Sequence, residues 1–295
     1  MSEPIELSKV EKTKIFLFTA LPHHLISRAV YFITRLKGPI VHPMIEFFIK
    51  KFKVDMSEAA YENTRLYTTF NEFFIRPLKD GARPVVPGKN TLASPADGTI
   101  SQAGKIQQRQ IFQAKGHYYT TTELLGGDSA MAGLFENGHF VTIYLAPYNY
   151  HRVHMPLHGL LKKMIHVPGR LFSVAPWTVR TIPGLFTSNE RVGCVFASEA
   201  GPIGLVLVGA INVAAIETVW AGLITPPKGK KITDFEYGHT RKIIAKGDEM
   251  GRFNMGSTVI FLAGKNIKLL ENIKAGQTLK MGELIGHFPL KKKPV

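Results

Sequence analysis

The sequence predicts an α+β protein in which N-terminal amphipathic helices precede a mostly antiparallel β domain. Residues 1–78 are rich in bulky apolar and basic side chains at helical spacing. From Gly81 onward, short Val, Ile, Thr and Phe runs are punctuated by Pro87-Gly88, Gly126-Gly127, Pro168-Gly169 and Pro183-Gly184, which is strand-and-turn texture. With 295 residues, 45% of them hydrophobic, the chain can bury a full core.

The elements follow in order. Across residues 14–36, apolar positions such as Phe16, Phe18, Leu21, Leu25 and Ile33 are broken by Pro22, His23, His24, Arg28 and Arg35, too often for a membrane-spanning helix. Residues 45–54 combine Phe47, Phe48, Ile49 and Phe52 with Lys50, Lys51 and Lys53. That mixture suits a lipid head-group layer, the alternative being a helical hairpin packed on the protein's own core. Thr69 and Glu72 stand at capping-box spacing, and Pro77 stops the helix they start. Residues 1–78 are therefore expected to form a helical membrane-associating region and residues 79–295 a β-rich catalytic domain. The apolar run 204–224 is rich in β-branched residues and carries Glu217, so two buried strands joined near Asn212 explain it better than a span. Near the end, Gly247-Asp248-Glu249-Met250-Gly251-Arg252-Phe253 and Gly282-Glu283-Leu284-Ile285-Gly286-His287-Phe288 suggest one turn-and-strand unit used twice.

Charge and cysteine content narrow the partners. A formal charge of +15 favours an anionic partner, phospholipid or nucleic acid. The aromatics are concentrated in apolar N-terminal segments instead of being interleaved with Arg and Lys on strands, which argues against nucleic acid. Lys291-Lys292-Lys293 reads either as added attraction to an anionic surface or as a solvated tail. The acidic, polar start Met1-Ser2-Glu3-Pro4 does not fit a cleaved signal peptide. A lone Cys194 suits a reducing cytoplasm and a core position.

Chemistry is suggested most directly by Gly256-Ser257, set between two β-prone apolar segments. Gly256 tolerates strained backbone and leaves its carbonyl carbon open, so the Ser257 hydroxyl can attack it and move the acyl group from nitrogen to oxygen. Elimination and hydrolysis then convert Ser257 into a pyruvoyl group. An ordinary β-turn is the rival reading. The segment Tyr150-His151-Arg152-Val153-His154-Met155-Pro156 offers a base. Because strand residues three apart face opposite sides, a bend near Val153 is needed if both histidines serve one site. With His158 they have helical metal-ligand spacing, but Pro156 breaks a helix and no cysteine or carboxylate completes the set. A histidine phosphocarrier would need the histidines without Ser257. Asp97, in the turn Ser94-Pro95-Ala96-Asp97-Gly98, either bonds its own backbone or supplies the acid of a Ser-His-Asp arrangement.

Together these segments resemble the phosphatidylserine decarboxylase family, with which Asn71-Glu72-Phe73-Phe74-Ile75-Arg76-Pro77-Leu78, Leu171-Phe172-Ser173-Val174, Leu185-Phe186-Thr187-Ser188-Asn189-Glu190 and Ile216-Glu217-Thr218-Val219-Trp220 also agree in order. Met255 stands where the family usually has leucine, Asn149 where an acid is frequent, and Ala175 where asparagine is common. The resemblance implies a proenzyme cleaved between Gly256 and Ser257 into a β chain of residues 1–256 and an α chain of residues 257–295. It implies that Asp97 orients His154, that His154 activates Ser257, and that Ser257 becomes the covalent pyruvoyl cofactor and Schiff-base site. It further implies that His151 donates a proton during decarboxylation of phosphatidylserine to phosphatidylethanolamine. No metal is implied. The expected location is the cytoplasmic face of the cell membrane, held peripherally on an anionic surface, with the α and β chains paired and a further homodimer left open.

Overall fold

The computed structural model describes residues 21–211, 215–226, 231–255 and 257–290. The start of the 14–36 segment, the joint at Asn212, Gly256 itself and the lysine tail lie outside these residues. The architecture is α+β, as expected.

Three N-terminal helices are described, His23–Ile33, Val41–Phe52 and Phe70–Phe74. The first docks on the β domain, where a His24 Nε2–H donates to the Gly169 carbonyl at 2.9 Å and the His23 ring meets Phe172 edge-on at 5.4 Å. The second tolerates Pro43 because it falls in the first turn, where no intrahelical N–H is needed. It closes on Lys53 in the left-handed region at φ 53°. Its inner face buries Val41 and Ile45 on Tyr67, Phe70, Phe73 and Phe74, an apolar cluster separate from the main core. The third is capped by Thr69 Oγ1, which accepts from Glu72 N at 3.1 Å. The reciprocal half of that box is displaced by one residue, because the Glu72 carboxylate takes the N–H of Thr68 at 2.8 Å.

The β domain is built on a nine-stranded antiparallel sheet. Its strand Ser257–Ala263 is flanked by His139–Leu145 and Gly201–Val208, and every one of its residues is buried. This strand does not alternate between polar and apolar because both faces are covered. A four-stranded sheet runs Gly222–Leu223, Ile216–Thr218, Glu249–Phe253 and Arg152–His154. The 204–224 run, expected to form two strands, supplies three: most of Gly201–Val208 to the large sheet, and Ile216–Thr218 and Gly222–Leu223 to the four-stranded one. Cys194 is buried, and desolvation pushes its thiol pKa up.

The repeated motif is one unit used twice. Gly247 at φ 85° and Gly282 at φ 91° each open a turn into a strand, Glu249–Phe253 and Leu284–His287. Gly247 N donates to Met155 O and Met155 N to Asp248 O, both at 2.9 Å; Gly282 N donates to Ser94 O at 3.0 Å and Ser94 N to Glu283 O at 2.7 Å. One copy thus holds the histidine segment and the other the Asp97 turn. The two are joined by Ala93 N to Pro156 O at 3.0 Å and His154 N to Pro95 O at 2.8 Å.

Candidate active site

Ser257 begins the central strand, paired with Leu145, and is fully buried. Among the described residues its Oγ has no hydrogen-bond partner, nor do Thr258 Oγ1 and Asn254 Oδ1 beside it. A buried hydroxyl left unpaired costs about 1–3 kcal/mol, so the local fold tolerates a penalty at this serine. Two residues upstream, Met255 adopts φ 112°, a region that side-chain-bearing residues enter only under constraint, at about 1–3 kcal/mol. Orphaned hydroxyl and strained backbone thus flank Gly256.

His151 lies immediately before the strand Arg152–His154, is wholly buried, and accepts Phe253 N on its carbonyl at 3.0 Å. Its ring packs on Phe74 with centroids 4.2 Å apart. Nδ1 lies 2.8 Å from the Asn149 carbonyl, which can only accept, so Nδ1 carries the proton and Nε2 is a bare lone pair without a partner. Burial pushes the His151 pKa down to about 3; the Asn149 bond opposes this and the Arg76 charge adds to it.

His154 is oriented differently. Its Nδ1–H donates to the Gly247 carbonyl at 2.7 Å, and the Tyr150 hydroxyl sits 3.0 Å from Nε2. Burial lowers its pKa, partly offset by the Gly247 bond and the Glu249 and Asp97 charges. The bend expected near Val153 has a counterpart across the ladder, where the pairing slips between Glu249 and Gly251.

Asp97 is beside this segment but not hydrogen-bonded to His154 among the described residues. Arg83 grips its carboxylate from Nε at 2.9 and 3.1 Å and from Nη2 at 2.6 Å, and Met281 N adds a bond at 2.8 Å. The same Arg83 Nη2 reaches Glu58 at 2.6 Å. His158 stands apart, accepting weakly from Lys246 N at 3.4 Å, and no group of three or more His, Cys, Asp or Glu among the described residues is placed to hold a metal ion. The sequence reading missed Tyr150, Gly247, Arg83 and Arg76. Only Arg76 left a trace, as a charge inside an apolar Phe-Phe-Ile-Arg-Pro run.

A cleft of about 210 Å³ opens beside Ser257, at the seam between helices and sheet, lined by Phe48, Phe52, Phe74, Tyr144, Leu145 and Met255. It is apolar and reaches the residue that pairs with Ser257. A buried serine, a strained neighbour, two buried histidines and an apolar cleft thus meet at one seam of this α+β protein.

Comparison with known proteins agrees. Residues 70–287 match the family model described as phosphatidylserine decarboxylase, and residues 13–53 match one described as PSD. A phosphatidylserine decarboxylase proenzyme of Alkalilimnicola ehrlichii is 54% identical over 276 residues, covering 92% of this chain and 96% of that protein. Proteins of the same description from Shewanella denitrificans and Ectopseudomonas mendocina are each 48% identical over 285 residues, covering 95% of this chain and 99% and 100% of theirs. The chain belongs to the phosphatidylserine decarboxylase family.

Proposed function

We propose that this chain is a proenzyme that cuts itself between Gly256 and Ser257 and then decarboxylates phosphatidylserine to phosphatidylethanolamine. The observation that carries the reading is the buried, unpartnered Ser257 hydroxyl in the central strand, two residues after a strained Met255. In the cut, Ser257 Oγ attacks the Gly256 carbonyl carbon, the peptide nitrogen leaves, and an ester replaces the amide. Removal of the Cα proton of residue 257, with its electron pair forming the Cα–Cβ double bond as the Cβ–Oγ bond breaks, then frees the Gly256 carboxylate, and hydrolysis of the resulting dehydroalanine releases ammonia and leaves a pyruvoyl group at position 257. His154 is the base for the first step: Gly247 fixes the Nδ1–H tautomer, so Nε2 is the acceptor once it exchanges the Tyr150 hydroxyl for that of Ser257. Asp97 stabilises the imidazolium by its charge, held in place by Arg83.

The pyruvoyl carbonyl supplies an electrophile for the substrate amine and a sink for the electrons that loss of carbon dioxide leaves. The orphaned Nε2 of His151 and the apolar cleft suit such a group at 257. With its Nδ1–H tied to Asn149, His151 presents Nε2 to the substrate, where an adjoining anionic headgroup would favour a proton that the ring then gives to the former α carbon. Desolvation beside Phe74 keeps it neutral until that proton arrives.

Residues 1–78 would hold the protein peripherally on the cytoplasmic membrane face, and residues 79–295 would carry the chemistry as paired β and α chains. Leu25, Phe32, Ile40 and Phe47 are 60–69% exposed on the N-terminal segment, and Lys51 Nζ lies 5.5 Å from the centre of the Phe47 ring. No helix among the described residues is long and apolar enough to cross a membrane. The test is a gel and a carbon-dioxide assay: His154→Ala should remain one chain, whereas His151→Ala should be cut but inactive. An uncut His151→Ala refutes this division of labour.

A further inference from the structure

We propose that Arg76 binds the phosphodiester of the lipid headgroup, an assignment that rests on the decarboxylase reading above. Arg76 follows the helix Phe70–Phe74 and is 4% exposed. Its Nη2 makes one long bond, 3.3 Å to the Tyr148 carbonyl, and its Nε is buried with no partner among the described residues. Its guanidinium carbon lies 5.4 Å from the centre of the Phe73 ring. Among the described residues no carboxylate pairs with it.

Among the described residues, Arg83, whose side chain is 6% exposed, and the buried Arg191 are satisfied. Arg83 holds Glu58 and Asp97, and Arg191 donates to the carbonyls of Glu123, Leu124, Thr187 and Asn189. Leaving a guanidinium buried without a counter-ion is costly, and burial lowers the Arg76 pKa from a value so high that the group stays cationic. Tyr67, Asp97, Glu58 and Arg83 are the other ionisable groups that bear on it. The position is informative as well. Phe74, two residues earlier, both stacks on His151 and lines the cleft, and the Arg76 charge itself acts on His151.

A headgroup of the serine lipid offers two anions, the phosphodiester and the carboxylate. An ion pair to the carboxylate would stabilise the ground state and fade as carbon dioxide departs, which slows the reaction. A pair to the phosphate is unchanged throughout and costs no rate, and a planar guanidinium matches phosphate geometry. In the uncut chain the group is closed in; scission makes position 256 a chain end, next to Met255, which lines the cleft.

The experiment uses matured full-length protein and a short-chain phosphatidylserine, compared with its neutral methyl phosphotriester. The expected result is a KM about tenfold or more higher for the triester at similar kcat, the size of one charge-assisted contact. Arg76→Gln should raise the diester KM by about the same factor and erase the difference, while Arg76→Lys restores part of it. Equal KM values for the two lipids on the parent protein overturn the assignment, even if Arg76→Gln fails to fold or to cut. So does an Arg76→Gln variant that loses kcat at constant KM. A parent protein that releases no carbon dioxide from either lipid sinks the decarboxylase reading, and the Arg76 assignment with it.

Discussion

At Ser257 the fold keeps a hydroxyl in the sheet core with nothing to bond, so the serine should cost stability that alanine does not. Ser257→Ala is expected to stay uncut and to be more stable than uncut His154→Ala, by up to about 1–3 kcal/mol, in thermal or denaturant unfolding. A less stable Ser257→Ala would show that the hydroxyl has a partner after all. Tyr150 gives a second prediction. Its hydroxyl donates to the His154 lone pair and so favours the neutral ring; Tyr150→Phe should raise the His154 pKa and move the pH midpoint of self-cutting upward. No movement in that midpoint would place Tyr150 outside the base's surroundings. His151 sets the acid limit. Its folded pKa of about 3 lies below the ordinary histidine value of 6.5, so the unfolded chain binds the extra proton between those values and stability must fall as pH drops through that window. In a Ser257→Ala background, His151→Phe should flatten that decline, as read from unfolding midpoints between about pH 6.5 and pH 4.

Among the elements, the Arg83 bridge ties the start of the β domain to both the Asp97 turn and Glu58. Asp97 and Arg83 side chains are each 6% exposed, whereas that of Glu58 is 28% exposed. Arg83→Ala strands a buried carboxylate and should cost about 3–5 kcal/mol in denaturant unfolding, against about 0–1 kcal/mol for Glu58→Gln. Similar costs for the two would mean that the Asp97 charge is not sealed from water. Both copies of the glycine-turn unit close on the same place. A Cβ on Gly247 would fall 2.8 Å from Val85 Cγ2, and one on Gly282 would fall 2.5 Å from the Pro84 carbonyl oxygen. The recurrent Gly-acid pattern was therefore readable in sequence as a repeat, because positive φ and close approach demand glycine at both sites. Its pseudo-symmetric grip on Ser94 and Met155 was not, because backbone bonds between segments leave no mark on side-chain identity.

For the molecule as a whole, a +15 chain carrying exposed Leu25, Phe32 and Phe47 on its helical side should sediment with anionic vesicles and release with salt. Replacing Phe32 and Phe47 with Asp should weaken that association while leaving self-cutting intact, since neither side chain belongs to the Ser257 surroundings. Unchanged sedimentation would point to another face. The helix Val41–Phe52 packs through Val41 and Ile45 on the apolar cluster of the helical segment itself, yet it leaves Phe47 64% exposed.

The α+β class, the helix-to-strand transition and the chemically distinctive residues were legible along the chain, since periodicity, turn residues and the Gly256-Ser257 pair are local. Who holds those residues was decided by the tertiary structure alone. The Asp97 carboxylate binds Arg83 and Met281 rather than a histidine, and His154 is fixed by a carbonyl 93 positions away in sequence. Burial then sets protonation, bringing His151 down to about 3 and leaving Arg76 without a counter-ion. Such partners and their dielectric surroundings exist only once distant strands pair, because a side chain's proton affinity depends on what the fold packs against it and on how much water it excludes.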